Sequence, residues 1–163
     1  MIRLRPVQPD DMEFLLRVYA SVREDELAPV NWTREQKDAF ERMQFEAQTR
    51  FYEENYIGAK FQVILADEVP AGRLYIHPRP NEVRIMDIAL LPEFRGRGIG
   101  SALLNEILDD ARAAHQNVSI HVERMNPALR LYERLGFCLQ EDKGVYLLLE
   151  WTPLKTEVAE RVG

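Results

Sequence analysis

Residues 90–101 of the 163-residue chain read LLPEFRGRGIGS, the most informative stretch of the sequence. Three glycines alternate with other residues, and two arginines stand among them: Arg95, Gly96, Arg97, Gly98 and Gly100. Glycines at alternate positions let backbone N–H groups turn toward one point. A helix that begins at once adds unpaired N–H groups and the positive end of its dipole. The stretch therefore predicts a cradle for a phosphate or pyrophosphate.

Two widespread phosphate cradles do not fit this loop. A P-loop requires Gly-Lys-Ser/Thr, which the sequence lacks. The dinucleotide fingerprint requires G-x-G-x-x-G, whereas the glycines here follow G-x-G-x-G, with Ser101 in the place of the last glycine. A purely structural use of the glycines, close packing at a tight turn, stays open from the spacing alone.

The sequence before the loop predicts two helices and four strands. Ile2–Pro6 alternates as a strand, Asp10 with Glu13 reads as the capping box of a first helix, and Thr33 with Gln36 caps a second one that reaches about Asn55. After Gly58 the period becomes two, and short turns separate the strands 61–66, 72–77 and 83–91. This part predicts an antiparallel meander.

The sequence after the loop follows a different order. A helix is expected over 99–114, a strand over 118–123, a helix over 127–135 and a hairpin with strands 137–143 and 145–151. A strand–helix–strand crossover makes parallel neighbours. We therefore expect an α/β (α+β) domain over 2–151, with a mixed central sheet and flanking helices. A weakly ordered polar tail is expected over 152–163.

Composition narrows the classes of function. The formal charge of −6 argues against nucleic-acid and anionic-membrane partners. One cysteine, Cys138, and three scattered histidines argue against a disulfide framework and a metal site. No apolar stretch approaches the ~20 residues of a membrane span, and the N-terminus lacks the apolar core of a signal peptide. We expect a cytoplasmic protein without a metal, in which Cys138 is buried.

Two motifs resemble the GCN5-related N-acetyltransferase (GNAT) family. The segment RGRGIG at 95–100, after a strand ending in ALLP, is similar to the acetyl-CoA loop of that family, and NPALRLYERLGF at 126–137 is similar to its second block. The resemblance covers about residues 2–151 and implies a central sheet with two splayed parallel strands. It implies an acetyl-CoA-dependent N-acetyltransferase acting on an amine, or a catalytically silent acyl-CoA-binding module of the same fold.

The resemblance also implies roles for particular residues. The pantetheine arm of acetyl-CoA would pair with the backbone of Ile88, Ala89 and Leu90, and the N–H of Leu90 would stabilise the developing oxyanion. Asn126 would contact the arm, and Tyr132 would protonate the leaving thiolate. The pyrophosphate would bind the backbone N–H groups of Arg95, Gly96, Arg97, Gly98, Ile99, Gly100 and Ser101.

The base and the acceptor site are less defined. His121 and Glu123 share one face of the strand before the second block, and either could accept the amine proton, as could a water relay. The run Glu24-Asp25-Glu26 is expected on the loop after the first helix, where the family builds its acceptor pocket, and would attract a cationic amine. A homodimer is possible because the family commonly forms one.

Overall fold

The computed structural model describes residues 1–153, which form seven strands and four helices. The strands are β1 Ile2–Pro6, β2 Lys60–Ala66, β3 Val69–Pro78, β4 Glu82–Leu90, β5 Asn117–Glu123, β6 Cys138–Asp142 and β7 Tyr146–Trp151. The helices are α1 Met12–Leu27, α2 Arg34–Asn55, α3 Ile99–Ala113 and α4 Leu129–Arg134. The expected tail falls almost wholly on 154–163, which lie outside the described residues.

The strands form one mixed sheet in the order β1-β2-β3-β4-β5-β7-β6. β1 pairs antiparallel with β2, from Ile2 opposite Ala66 onward. β4 and β5 are parallel, with a register that ends where Ile85 lies opposite Ile120. β7 pairs antiparallel with both β5 and β6. The predicted meander and mixed sheet with flanking helices are confirmed.

The chain divides into two compact units, and each has its own core. The first contains 1–75 and 87–97, and Leu15, Tyr19 and Phe45 form a buried cluster between α1 and α2. The second contains, among the described residues, 76–86 and 98–153. There the apolar face of α3, with Leu104 and Leu108, is buried, as are alternate residues of β5 and β7: Val118, Ile120, Val122, Leu147, Leu149 and Trp151. Truncating a buried leucine to alanine costs about 2–5 kcal/mol.

Of the first two helices, α2 begins as the sequence predicts and α1 does not. Thr33 caps α2: its Oγ1 accepts the N–H of Gln36 at 3.1 Å, and the Gln36 side chain accepts the N–H of Thr33 at 2.9 Å. The expected Asp10 cap of α1 is wrong, because a 3-10 turn over Pro9–Asp11 precedes the helix. Asp11 accepts the N–H of Gln8 at 2.7 Å there and pairs with Arg5.

Two expectations near the C-terminal hairpin are also corrected. α4 begins at Leu129 rather than Pro127, because the side chain of Asn126 accepts the N–H of Ala128 at 2.8 Å and forms a turn before the helix. Cys138 is exposed instead of buried. Its strand, β6, lies at the edge of the sheet and is exposed along all five residues.

No helix within residues 1–153 combines the length and the apolar character that a membrane span requires.

Candidate active site

The glycine loop is open around its glycines. Gly96 and Gly98 have φ angles of 73° and 79°, in the left-handed region that favours glycine, and Gly98 is the N-cap of α3. A Cβ atom added at Gly96, Gly98 or Gly100 would meet no heavy atom within 4 Å. Close packing therefore does not explain these glycines. Gly100 is helical without a positive φ, so neither conformation nor packing requires a glycine there.

Backbone donors converge at the start of α3. Ile99, Gly100 and Ser101 are its first three residues, whose N–H groups have no partner within a helix. No side chain in the described part of the chain caps this helix start. The N–H of Arg95, by contrast, donates to the carbonyl of Pro92 at 3.2 Å. Of the predicted run of donors, the N–H of Arg95 is therefore already engaged within the loop.

The two loop arginines are held differently. The Arg95 side chain turns back: its Nε donates to the carbonyl of Leu90 at 3.0 Å, and its Nη2 lies 3.4 Å from the hydroxyl of Ser21. Arg97 is exposed, with its guanidinium 5.3 Å from the ring centroid of Phe94. Arg95 thus fixes the loop on the end of β4, and Arg97 presents its charge to solvent.

The end of β4 is shaped by a close approach to β3. The N–H of Leu91 donates to the carbonyl of Ala71 at 2.8 Å, so the N–H of Leu90, one residue earlier in an extended strand, points to the other edge of β4. A Cβ atom at Gly72 would lie 2.1 Å from the carbonyl oxygen of Ala89. Gly72 therefore permits the position of Ala89 and Leu90. Sequence reasoning missed it, although an isolated glycine inside a strand marks such approaches.

The second block forms a buried corner in the second unit. Tyr132 on α4 is 4% exposed, and its ring packs edge-on against Phe137, with centroids 5.8 Å apart. The N–H of Phe137 donates to the carbonyl of Tyr132 at 3.0 Å, which fixes the turn after α4. Asn126 is exposed, and its backbone N–H donates to the carbonyl of Glu123 at 2.9 Å. Asn126 therefore lies in the turn directly after β5, and Tyr132 lies on α4, the helix that follows this turn.

Sequence and structure comparisons agree with these features. The family model described as "Acetyltransferase (GNAT) family" matches residues 19–137. The chain belongs to the GNAT acetyltransferase family. The N-alpha-acetyltransferase RimI of Mycobacterium tuberculosis is 35% identical over 83 residues, which are 51% of each chain. An uncharacterised protein of Mycobacterium leprae is 34% identical over 82 residues, 50% of this chain and 22% of that protein. The chain thus spans about half or less of these relatives.

The GNAT fold extends through nearly the whole described chain. The PaiA N-acetyltransferase of Thermoplasma acidophilum, solved in complex with coenzyme A, matches with a TM-score of 0.70 and 19% sequence identity. The match covers 93% of this chain and 99% of that one. At this identity the likeness shows the fold, including the mixed sheet.

His121, one of the two predicted bases of this GNAT chain, lies between two cations. Its Nδ1 is 3.1 Å from Nη1 of Arg84, and its Nε2 is 3.2 Å from Nζ of Lys143. Partial burial, followed by these two charges, holds the pKa of His121 below its ordinary value. Accepting a proton would place a third positive charge beside them. These surroundings favour Glu123, half-buried at the end of β5, over His121 as a proton acceptor.

The acidic run of the GNAT chain lies on a helix and not on a loop. Glu24, Asp25 and Glu26 are exposed residues near the C-terminal end of α1, which continues to Leu27. No basic residue stands in the last turn of that helix. Carboxylates at a helix C-terminus meet the negative end of its dipole, an unfavourable interaction of about 0.3–1 kcal/mol. Glu26 is paired with Arg23 at 3.4 Å, so Glu24 and Asp25 supply the net negative charge at this end of α1.

A buried arginine cluster in the first unit was missed by sequence reasoning. Arg73 on β3 is 3% exposed and pairs with Asp87 on β4. Its Nη2 also donates to the side chain of Gln48 at 2.9 Å, and its guanidinium lies 4.7 Å from the ring centroid of Tyr75. The Nη1 atom is buried without a hydrogen-bond partner. Asp87 directly precedes Ile88, so this cluster anchors the strand segment predicted to bind the cofactor arm.

The signal for this cluster was weak. An arginine in a strand usually lies on a solvent-facing side, and the lone Asp87 interrupts an otherwise apolar run.

Within residues 1–153, no group of three or more His, Cys, Asp or Glu side chains is arranged to hold a metal ion.

Proposed function

We propose that this chain is an acetyl-CoA-dependent N-acetyltransferase that transfers the acetyl group to a primary amine by direct attack. Membership of the GNAT family supports the reaction class. The single observation that carries the proposal is Gly100, a helical glycine that neither packing nor conformation requires. Glycine costs up to about 1 kcal/mol relative to alanine in a helix, the full amount applying to its interior and less to the first turn where Gly100 lies. Its use there fits a ligand that approaches the backbone closely.

Acetyl-CoA fits the residues around the glycine loop. The N–H groups of Gly96 to Ser101 would bind its pyrophosphate, helped by the dipole of α3 and the exposed charge of Arg97. The backbone of Ile88, Ala89 and Leu90 would bind the pantetheine arm, with Asn126 as a further contact. PaiA, which shares the fold, was solved with coenzyme A, and this supports the choice of cosubstrate. The acetyltransferase domain would extend over 2–151.

The chain would supply three elements of catalysis, while the cosubstrate supplies the activated acetyl group. The N–H of Leu90 would stabilise negative charge on the thioester carbonyl oxygen. The Tyr132 hydroxyl would donate a proton to the departing thiolate, and Glu123 would accept the amine proton, directly or through water. Binding both substrates side by side would lower the barrier further.

A covalent acyl-enzyme step is not part of the proposal. Cys138 is exposed, so burial does not protect it, contrary to expectation. Its Sγ lies 3.8 Å from the carbonyl oxygen of Gly136, and no histidine or carboxylate within residues 1–153 is hydrogen-bonded to it. A nucleophilic cysteine needs such a partner for activation.

The acceptor would be a cationic amine drawn by the acidic run Glu24–Glu26. The name of the RimI relative, an N-alpha-acetyltransferase, is consistent with an amine acceptor. No feature of the described residues favours the silent acyl-CoA-binding alternative.

The test combines binding with turnover. Isothermal titration calorimetry would measure acetyl-CoA affinity, and release of free CoA thiol would measure transfer to a panel of primary amines. Tyr132→Phe should lower kcat about 100-fold while leaving acetyl-CoA affinity unchanged, because the substitution removes the proton donor and keeps the buried ring. Tyr56→Phe, a substitution at the C-cap of α2 in the first unit, is the matched control and should change neither quantity. Folded protein that does not bind acetyl-CoA would sink the proposal.

A further inference from the structure

The first unit contains a cleft that the proposed reaction does not use. A cavity of about 410 Å³ opens between the start of α1 and the C-terminal half of α2. Its apolar lining includes Val7, Met12 and Leu15. A neighbouring cavity of about 490 Å³ shares Met12, Thr49 and Glu53 with it, so the two adjoin along α2. The first cavity is large enough to take a small organic molecule.

Aromatic rings form one wall of the 410 Å³ cavity. Phe61 and Tyr75 pack edge-on with centroids 4.9 Å apart, and Tyr52 packs edge-on against Tyr75 at 6.1 Å. The guanidinium of Arg73 already lies 4.7 Å from the ring centroid of Tyr75, so this wall offers apolar surface rather than a site for a second cation. Burial, together with the nearby Asp87 carboxylate, raises the pKa of Tyr52 to about 12. Its hydroxyl therefore stays protonated at physiological pH, and this side of the cavity carries no tyrosinate charge.

The charges around the cleft favour a cation. Among the described residues that line the 410 Å³ cavity, Glu53 is the one charged side chain. In the neighbouring cavity Glu46 and Glu54 join it, against Arg42 and Arg50. Arg42 is already paired with Glu13, at 3.0 and 3.1 Å, which removes its positive charge from the balance.

We propose that this cleft binds a small hydrophobic monoamine, with the apolar body against Phe61, Tyr52 and Tyr75 and the ammonium group on Glu53. The site goes beyond the acetyl-transfer function and does not depend on it.

The lining residue Met12 stands at the start of α1, and Glu24 of the acidic run stands near its end. They are twelve helical positions apart, a distance of about 18 Å along the helix axis. The amine in the cleft is therefore a second ligand and not the acceptor that this run would attract.

Three probes that share a phenylethyl body and differ in the head group test the contribution of charge. Isothermal titration calorimetry at pH 7 would compare 2-phenylethylamine, the neutral 2-phenylethanol and the anionic 3-phenylpropionate, with acetyl-CoA left out. The amine should bind at least about tenfold more tightly than the alcohol, because the Glu53 carboxylate favours the cation. The acid should not bind. Because no cosubstrate is added, failure here leaves the transferase proposal untouched.

Variants of α2 locate the site. Glu53→Gln should lower the affinity for 2-phenylethylamine to that of the alcohol. Glu54→Gln removes the same charge one residue later, from a side chain that lines only the neighbouring cavity, and should change affinity less than about twofold. Thr49→Trp should fill the cleft and abolish binding of both probes, while circular dichroism shows an unchanged fold.

Several results would overturn the proposal. These are an amine that does not bind, amine and alcohol that bind equally, and Glu53→Gln behaving like Glu54→Gln. Binding that survives in folded Thr49→Trp would also place the ligand elsewhere.

Discussion

A Cβ atom added at Gly100 would meet no heavy atom within 4 Å, whereas one added at Gly72 would lie 2.1 Å from the carbonyl oxygen of Ala89. The same residue type is thus used for two opposite reasons. In the glycine loop, the absence of a side chain leaves open space beside the backbone. Between β3 and β4 the small size of glycine lets two backbones approach closely. Only the first use fits direct contact with a ligand.

The arginines of these two regions show the same contrast. Arg73 is 3% exposed and paired with Asp87, whereas Arg97 is exposed near Phe94. Replacing a residue that the fold surrounds should change stability first, and should change function only by moving neighbouring residues. A residue that the fold leaves open affects ligand binding first. Substitutions at surrounded residues should therefore change the free energy of unfolding most, and substitutions at open residues should change acetyl-CoA affinity most.

The largest effect is expected from removing the buried guanidinium. Arg73→Met should lower the free energy of unfolding by about 3 kcal/mol, because the partly buried carboxylate of Asp87 loses its partner. Urea denaturation would measure the change. Arg42→Met breaks an exposed pair with Glu13 and should cost less than about 1 kcal/mol. Equal costs for the two variants would contradict the role given to Arg73.

Gly72→Ala should cost about 2 kcal/mol of stability, since the new methyl group must push Ala89 and Leu90 away. The displaced segment is the one predicted to bind the cofactor arm, so acetyl-CoA affinity should fall together with stability. Chemical denaturation and calorimetry on the same preparation would measure both. An unchanged midpoint in urea would show that the β3–β4 approach tolerates a side chain.

The sequence predicts the open region better than the closed one. The loop at 95–101 follows a local spacing rule, so its glycines and the start of α3 could be read without a structure. The alternation of apolar residues likewise predicts the strands and the long helices to within a few residues. Helix starts such as that of α1 depend on short turns and on partners like Arg5, which no periodicity records.

The Arg73 cluster joins four elements of the chain, and no local pattern marks it. Its members come from α1, α2, β3 and β4 as Tyr19, Gln48, Arg73, Tyr75 and Asp87. Similarly, the exposure of Cys138 follows from the place of β6 at the sheet edge, which strand order alone decides. Long-range packing and strand order therefore explain most of the missed features.

Gly100→Ala should move stability and binding in opposite directions. Alanine is the better helix former and meets no steric obstacle, so the free energy of unfolding should rise by up to about 1 kcal/mol. The added methyl group would occupy the cradle, and acetyl-CoA affinity should fall about tenfold, equivalent to about 1.4 kcal/mol. Loss of both stability and affinity would instead show that Gly100 serves the fold, as Gly72 does.

The smallest effect is expected at Arg97. Arg97→Gln removes an exposed charge that makes no salt bridge within residues 1–153, so stability should change by less than about 0.5 kcal/mol. Acetyl-CoA affinity should fall about threefold at low ionic strength, and the difference from the parent protein should shrink as salt screens the exposed charge. Arg95→Gln serves as the comparison, because its side chain is committed to the carbonyl of Leu90. Its effect on affinity should persist at high salt, since the loss is one of loop position rather than of long-range attraction. If both variants responded to salt alike, the loop arginines would act as interchangeable charges and the contrast between surrounded and open residues would not extend into the loop.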